Sequence, residues 1–219
     1  MSSNLYAKVH TRRLPDFRTR ILIAGLAALA FALPGLSHAA AAERHAIVLA
    51  DTGANADAIG AGYAARGFAV DRADTQHADL VGRSNDVAAQ ARELIASGVD
   101  PADITIVAAG DTTSTAILAS AVLGRLDVNY VLIGGCDATL RANYRFRPSG
   151  RMLSLVEPGK NRSCRPQWTD APRVSQRREL NVDSVAVAWN EAGTFNAIVQ
   201  WSQGEYLDAD TKLVASNAR

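Results

Sequence analysis

The sequence predicts an α/β protein: a mostly parallel sheet of about six strands with helices on both faces. Three observations carry that expectation. Uninterrupted apolar segments, clearest at residues 104–109 (ITIVAA) and 130–135 (YVLIGG), recur between stretches with helical spacing. Strands without polar alternation are buried on both faces, as in a parallel sheet under helices. Gly, Asp, Asn and Thr cluster where each strand must give way to a helix.

The N-terminus stands outside that pattern. Residues 1–20 hold Lys8, Arg12, Arg13, Arg18 and Arg20 against one acid, Asp16, and residues 21–36 are apolar throughout. A basic region, a short apolar core and the small residues around Ser37-His38-Ala39 form the pattern of a secretory signal peptide over 1–39. The core contains Pro34 and Gly35 and falls short of the roughly 20 residues of a membrane helix, so no stable membrane anchor is expected after cleavage. Arg12-Arg13 is followed by Pro15 rather than closely by an apolar pair, which favours ordinary export to the periplasm or medium over a twin-arginine route. Residues 40–219 are then expected to form a single domain with a sizeable core.

The elements follow in order. Residues 45–50 (HAIVLA) are a buried strand ended by Asp51-Thr52-Gly53. Residues 56–66 are helical in spacing and stop at Gly67. A second strand starts at 68–70, and the polar stretch 74–85 reads as a loop. Asn85-Asp86 can cap a helix running to Gly98, with Val87, Ala91, Leu94 and Ile95 on one stripe. Asp100–Asp103 is a turn, 104–109 a strand and 113–123 a helix; strands at 130–135 and 152–156 follow. Residues 158–176, rich in Pro, Arg and Ser, are an excursion. The alternation over 184–189 reads as a strand, and 194–201 as a helix or a return strand, with helix preferred.

Composition excludes some functions. Residues 1–39 hold five of the 23 basic and one of the 22 acidic residues, which leaves the rest at a net −3. With only 6% aromatic residues, no nucleic-acid surface is expected. Arg162, Arg165, Arg173, Arg177 and Arg178 suit either an anionic partner or a solvated loop with counter-charges, the latter being the commoner outcome. Cys136 and Cys164 form an even pair, which in an oxidising compartment predicts a disulfide; two buried free thiols are the alternative. His45 and His77 lie at no ligand-like spacing from them, so neither a metal nor another cofactor is expected.

Ligands of parallel α/β sheets sit beyond the carboxyl ends of the strands. That rule assigns Asp51, Thr52, Gly53, Gly110, Thr112 and Glu157 to one pocket rim, together with Gly134–Cys136. Asp51 is also a candidate cap for the helix after it, and Asp111 for the helix carrying Thr113 and Ser114.

The stretch GVDPADITIVAAGDTTSTAILASAVL, with AARGFAV before it and NYVLIGGC and GRMLSLVE after it, resembles the α/β-hydrolase family, closest to a secreted bacterial group. The resemblance implies an α/β-hydrolase-like three-layer sandwich with the nucleophile elbow after the third strand. It places the nucleophile on Gly110, which has no side chain, and asks for a late histidine where the chain has none beyond His77. Glu157 is the nearest carboxylate to the family's acid position. Two substitutes remain. A shift of one residue makes Asp111 a carboxylate nucleophile, for which His77 would have to activate water, and a longer slip brings Ser114 to the turn. The simpler alternatives are a helix cap at Asp111, a first-turn helix residue at Ser114 and a solvated loop residue at His77.

IVLADTGAN also resembles the Asp-Thr-Gly motif of retroviral-type aspartic proteases. Those enzymes are all-β, whereas this motif leads into a helical pattern. The expectation is therefore an exported hydrolase-like pseudoenzyme that binds a small molecule or a protein. The alternatives are an active hydrolase using Asp111 and a binding module that shares only the architecture.

Overall fold

The computed structural model describes residues 43–207 except Asn161; the expected signal peptide lies outside the described residues. Among them, six strands form one sheet: β1 (Arg44–Ala50), β2 (Phe68–Arg72), β3 (Ile104–Ala109), β4 (Asn129–Ile133), β5 (Gly150–Val156) and β6 (Val174–Asn181). The order is β2-β1-β3-β4-β5-β6 and every neighbouring pair is parallel. The helices are α1 (Gly53–Ala64), α2 (Leu80–Ala96), α3 (Thr113–Leu123), α4 (Leu140–Asn143), α5 (Arg165–Trp168) and α6 (Ala192–Ser202).

Side chains on successive strand residues point to opposite faces, so each apolar strand feeds two cores. Ala46 and Val48 of β1 pack with Ile59 and Tyr63 of α1 and with Ile198 and Trp201 of α6. Ile47 and Leu49 pack on the other face with Val87 and Ala91 of α2 and Ile117 of α3. The result is three layers, as expected for an α/β fold. No helix among the described residues is long and apolar enough to cross a membrane.

Three expectations need correction. Residues 184–189 form turns, and the sixth strand is β6, drawn from the Arg- and Ser-rich stretch. β6 is an edge strand with polar, partly exposed residues along most of its length, so it carries no apolar signature. Val185 and Ala188 nonetheless pack into the core that holds α6, which gives the alternation over 184–189 its strand-like look.

The second correction is the start of α2. Its cap is Asp79, whose Oδ1 accepts from Gly82 N at 2.9 Å, not Asn85-Asp86. Gly82-Arg83-Ser84 reads as polar loop, yet Gly82 is buried under His77 and the Ser84 hydroxyl is turned inward. That hydroxyl donates to Leu80 O at 2.7 Å and lies 3.1 Å from Thr115 O of α3.

The third concerns two expected caps. Thr52, not Asp51, caps α1, its Oγ1 accepting from Asn55 N at 3.3 Å. The residue before α3 is Thr112, the last of a 3-10 turn over Gly110–Thr112, so Asp111 sits too early to cap it.

Candidate functional site

In this strand order the chain leaves β1 towards one side of the sheet, forms β2, and returns on the other side as β3. A crevice opens beyond the carboxyl ends of strands at such a switch point. Here it is a cleft of about 670 Å³ bounded by Asp51 after β1, Gly110 after β3 and Gly134-Gly135-Cys136 after β4.

The turn after β3 shapes its floor. Gly110 has φ +64°, in the left-handed region that favours glycine. A Cβ built there would lie 2.5 Å from Asp51 Oδ2. The carboxylate of Asp51 therefore occupies the space that a side chain at position 110 would need. Asn55 Nδ2, one turn into α1, donates to Asp51 Oδ1 at 3.2 Å.

The hydroxyl of Thr112 staples the strand ends. Its Oγ1 accepts from Ala109 N at 3.1 Å and lies 2.8 Å from Ala109 O and 3.2 Å from Leu49 O, its two acceptors on β3 and β1. Thr113 Oγ1 donates to Gly110 O at 3.1 Å.

Of the candidate catalytic residues, Asp111 and Ser114 line the cleft and His77 does not. Asp111 is exposed, and among the described residues its carboxylate has no hydrogen-bond partner. Ser114 is 7% exposed and its hydroxyl likewise makes no hydrogen bond. His77 is held elsewhere: its Nδ1 lies 2.9 Å from both carboxylate oxygens of Asp86, whose Oδ2 also accepts from Gln76 N and His77 N. His45, near the amino end of β1, faces Asp71 of β2 at 3.5 Å, at the opposite end of the sheet from the cleft. Among the described residues no imidazole lines the cleft.

The expected rim divides between two cavities. Asp51 and Gly110 line the cleft, whereas Thr52, Gly53 and Thr112 line a smaller neighbour of about 240 Å³. Glu157 lines neither; it is buried after β5 and pairs with Lys160, which does line the cleft.

Several cleft residues were not among the rim positions expected from the sequence. Arg83 belongs to a segment read as loop that is the first turn of α2. Asp137 follows Cys136 in the turn after β4, and Lys160 and Arg162 lie in the segment that a covalent link ties to it. Cys136 and Cys164 are disulfide-bonded, with Cα atoms 5.0 Å apart, and Cys136 N donates to Arg162 O at 3.0 Å. The cysteine pair was the available signal for this convergence. The cleft thus carries both signs: Asp51, Asp111 and Asp137 against Arg83, Lys160 and Arg162.

The His77–Asp86 pair makes a pH prediction. The hydrogen bond and charge of Asp86 raise the His77 pKa above its ordinary 6.5, and the same contact lowers that of Asp86. A raised imidazole pKa means the pair holds the 74–79 loop onto α2 fully below the unfolded-state value. The tie is lost as pH rises through the higher folded value. An NMR titration should place the His77 transition above 6.5, and Asp86→Asn should bring it down; identical midpoints in both proteins would refute the coupling.

No family model matches the chain, and no curated protein matches it. Fold and site together define an α/β protein with a mixed-charge cleft at its topological switch point.

Proposed function

We propose that the chain is an exported, α/β-hydrolase-like protein that binds a small ligand in the switch-point cleft and lacks a working Ser-His-Asp triad. The observation that carries the reading is the Gly110 turn. Its positive φ suits the strained turn on which a hydrolase nucleophile sits, yet the residue has no side chain and the Asp51 carboxylate fills the vacant space. A hydroxyl nucleophile needs a base to take its proton, and neither described histidine faces the cleft. Export is supported by the basic, then apolar N-terminus and by the Cys136–Cys164 bond, which persists in oxidising compartments.

The protein is expected to leave generic esters intact and to take no label from a fluorophosphonate probe at any serine. Gly110→Ser should not gain labelling, because the new hydroxyl would meet a carboxylate and no imidazole. One observation favours a second reading: Asp111 lines the cleft, is exposed and has no cap to make. An ester-hydrolysis burst that Asp111→Asn abolishes would establish a carboxylate nucleophile and overturn the pseudoenzyme.

A further inference from the structure

The smaller cavity beside the cleft has a composition of its own. Its polar lining is Thr52, Thr75, Thr112, Thr115, Arg72 and Arg83, with no carboxylate among the described residues. It adjoins the first turn of α1, a helix of 12 residues, whose early N–H groups have no partner inside the helix and favour negative charge. A Cβ added at Gly53 would meet nothing within 4 Å, so the space over that turn is open.

A helix start alone would not make a site, but the lining also holds unpartnered polar atoms. Thr115 is 1% exposed, and its Oγ1 is buried without a hydrogen bond. Hydroxyls in helices commonly bond back to the preceding turn; this one does not. Arg83 Nε is also buried without a partner, and Arg83 forms no ion pair among the described residues, although it lines both cavities. Of the other groups, Arg72 pairs with Asp57, Thr52 caps α1 and Thr112 staples the strands, while Thr75 is exposed. Buried polar groups normally find partners, and two that lack them on the wall of one polar cavity point to a ligand.

We propose that this cavity is an oxyanion site that seats a phosphate group through Arg83, the Thr115 hydroxyl and the first turn of α1. At roughly 30 Å³ per water, a cavity of about 240 Å³ holds one such group with a few waters. The phosphate is either the free inorganic ion or one end of a larger ligand whose remainder lies in the adjoining cleft, with Arg83 on the shared wall. The inference stands on the second cavity and is independent of whether the cleft is catalytic.

Calorimetric titration of the full chain in phosphate-free, low-salt buffer tests it, with inorganic phosphate and glycerol 3-phosphate as probes. Saturable binding at one site is expected. Arg83→Met should weaken it at least about tenfold, as loss of a charge-assisted bond does. Thr115→Val should also weaken it, while raising the Tm of the unliganded protein, because the orphan hydroxyl is replaced by a methyl of the same shape. A purely structural Thr115 would not link a gain in stability to a loss of binding. Tighter binding of glycerol 3-phosphate assigns the group to a larger ligand; equal or tighter binding of inorganic phosphate assigns the free ion. No saturable binding of either probe, or binding unchanged in both variants, would overturn the proposal.

Discussion

Replacing Arg151 with methionine is expected to lower global stability by roughly 3–5 kcal/mol, a large share of the 5–15 typical of a domain. Arg151 is 8% exposed, at the amino end of β5, far along the sheet from the cleft. Its guanidinium donates to Gln176 Oε1 at 2.7 Å, to Trp201 O at 2.9 Å, to Glu205 O at 2.7 Å and to Asn129 Oδ1, and stacks 4.6 Å over the Trp201 ring. Asn129 passes the connection on, donating to Ala102 O at 2.8 Å. One side chain thereby ties β4, β5, β6, the end of α6 and the turn before β3. It has no carboxylate partner among the described residues, so neutral acceptors carry the charge; removal leaves the buried Asn129 Oδ1 without its donor and takes one of two donors from Trp201 O, which keeps Gly204 N at 3.1 Å. Each buried acceptor left unpaired costs about 1–3 kcal/mol. Urea unfolding of Arg151→Met measures the loss. Arg151→Lys should recover little, since an ammonium cannot reproduce the planar fork. A loss under about 1 kcal/mol would show that the network is solvated in solution.

Opening the Cys136–Cys164 bond is expected to cost about 3.5 kcal/mol, the loop-closure entropy for a sequence separation of 28. The bond joins the turn after β4 to the residue before α5, and its neighbours tighten the same junction: Gln167 Nε2 donates to Asp137 O at 2.9 Å, and Glu179 Oε2 accepts from Cys164 N at 2.8 Å. Lys160, Arg162 and Asp137 should therefore lose their fixed place on the cleft before the sheet unfolds. Thermal melts with and without reductant give the global loss, and amide exchange should rise first at 136–137 and 162–169. Two reactive thiols in unreduced protein would refute the bond.

What was legible in the sequence follows from how many neighbours each segment has. β3 and α3 have the expected bounds, 104–109 and 113–123, because both are buried along most of their length and hold only apolar and small hydroxyl residues, with no charge. β6 was hidden because an edge strand has one ladder partner and can be arginine-rich. The start of α2 was hidden because Gly82 is buried against His77 and the Ser84 hydroxyl finds acceptors in Leu80 O and in α3, which local spacing cannot reveal. The rim positions Asp51 and Gly110 were readable, since they follow from where strands end. Which groups share a cavity was not: Arg83 and Thr115 come from different helices, and Lys160 and Arg162 arrive through the disulfide.

The all-parallel ladder also sets how this chain must find its fold. No two of the six strands can pair through a short hairpin, because each parallel neighbour requires a crossover first. β1 carries the further burden that its partner β3 begins 60 residues after it in sequence, at Ile104 against Arg44, with α1, β2 and α2 between. Loop closure must precede the contacts that repay it, so folding is expected to be slow for a domain of this size. During that interval ITIVAA is a strand without its neighbours, apolar and uncharged. The cost of building a switch-point cleft from six parallel strands is thus an interval of exposed, sticky edge that ends only when the central pair has met.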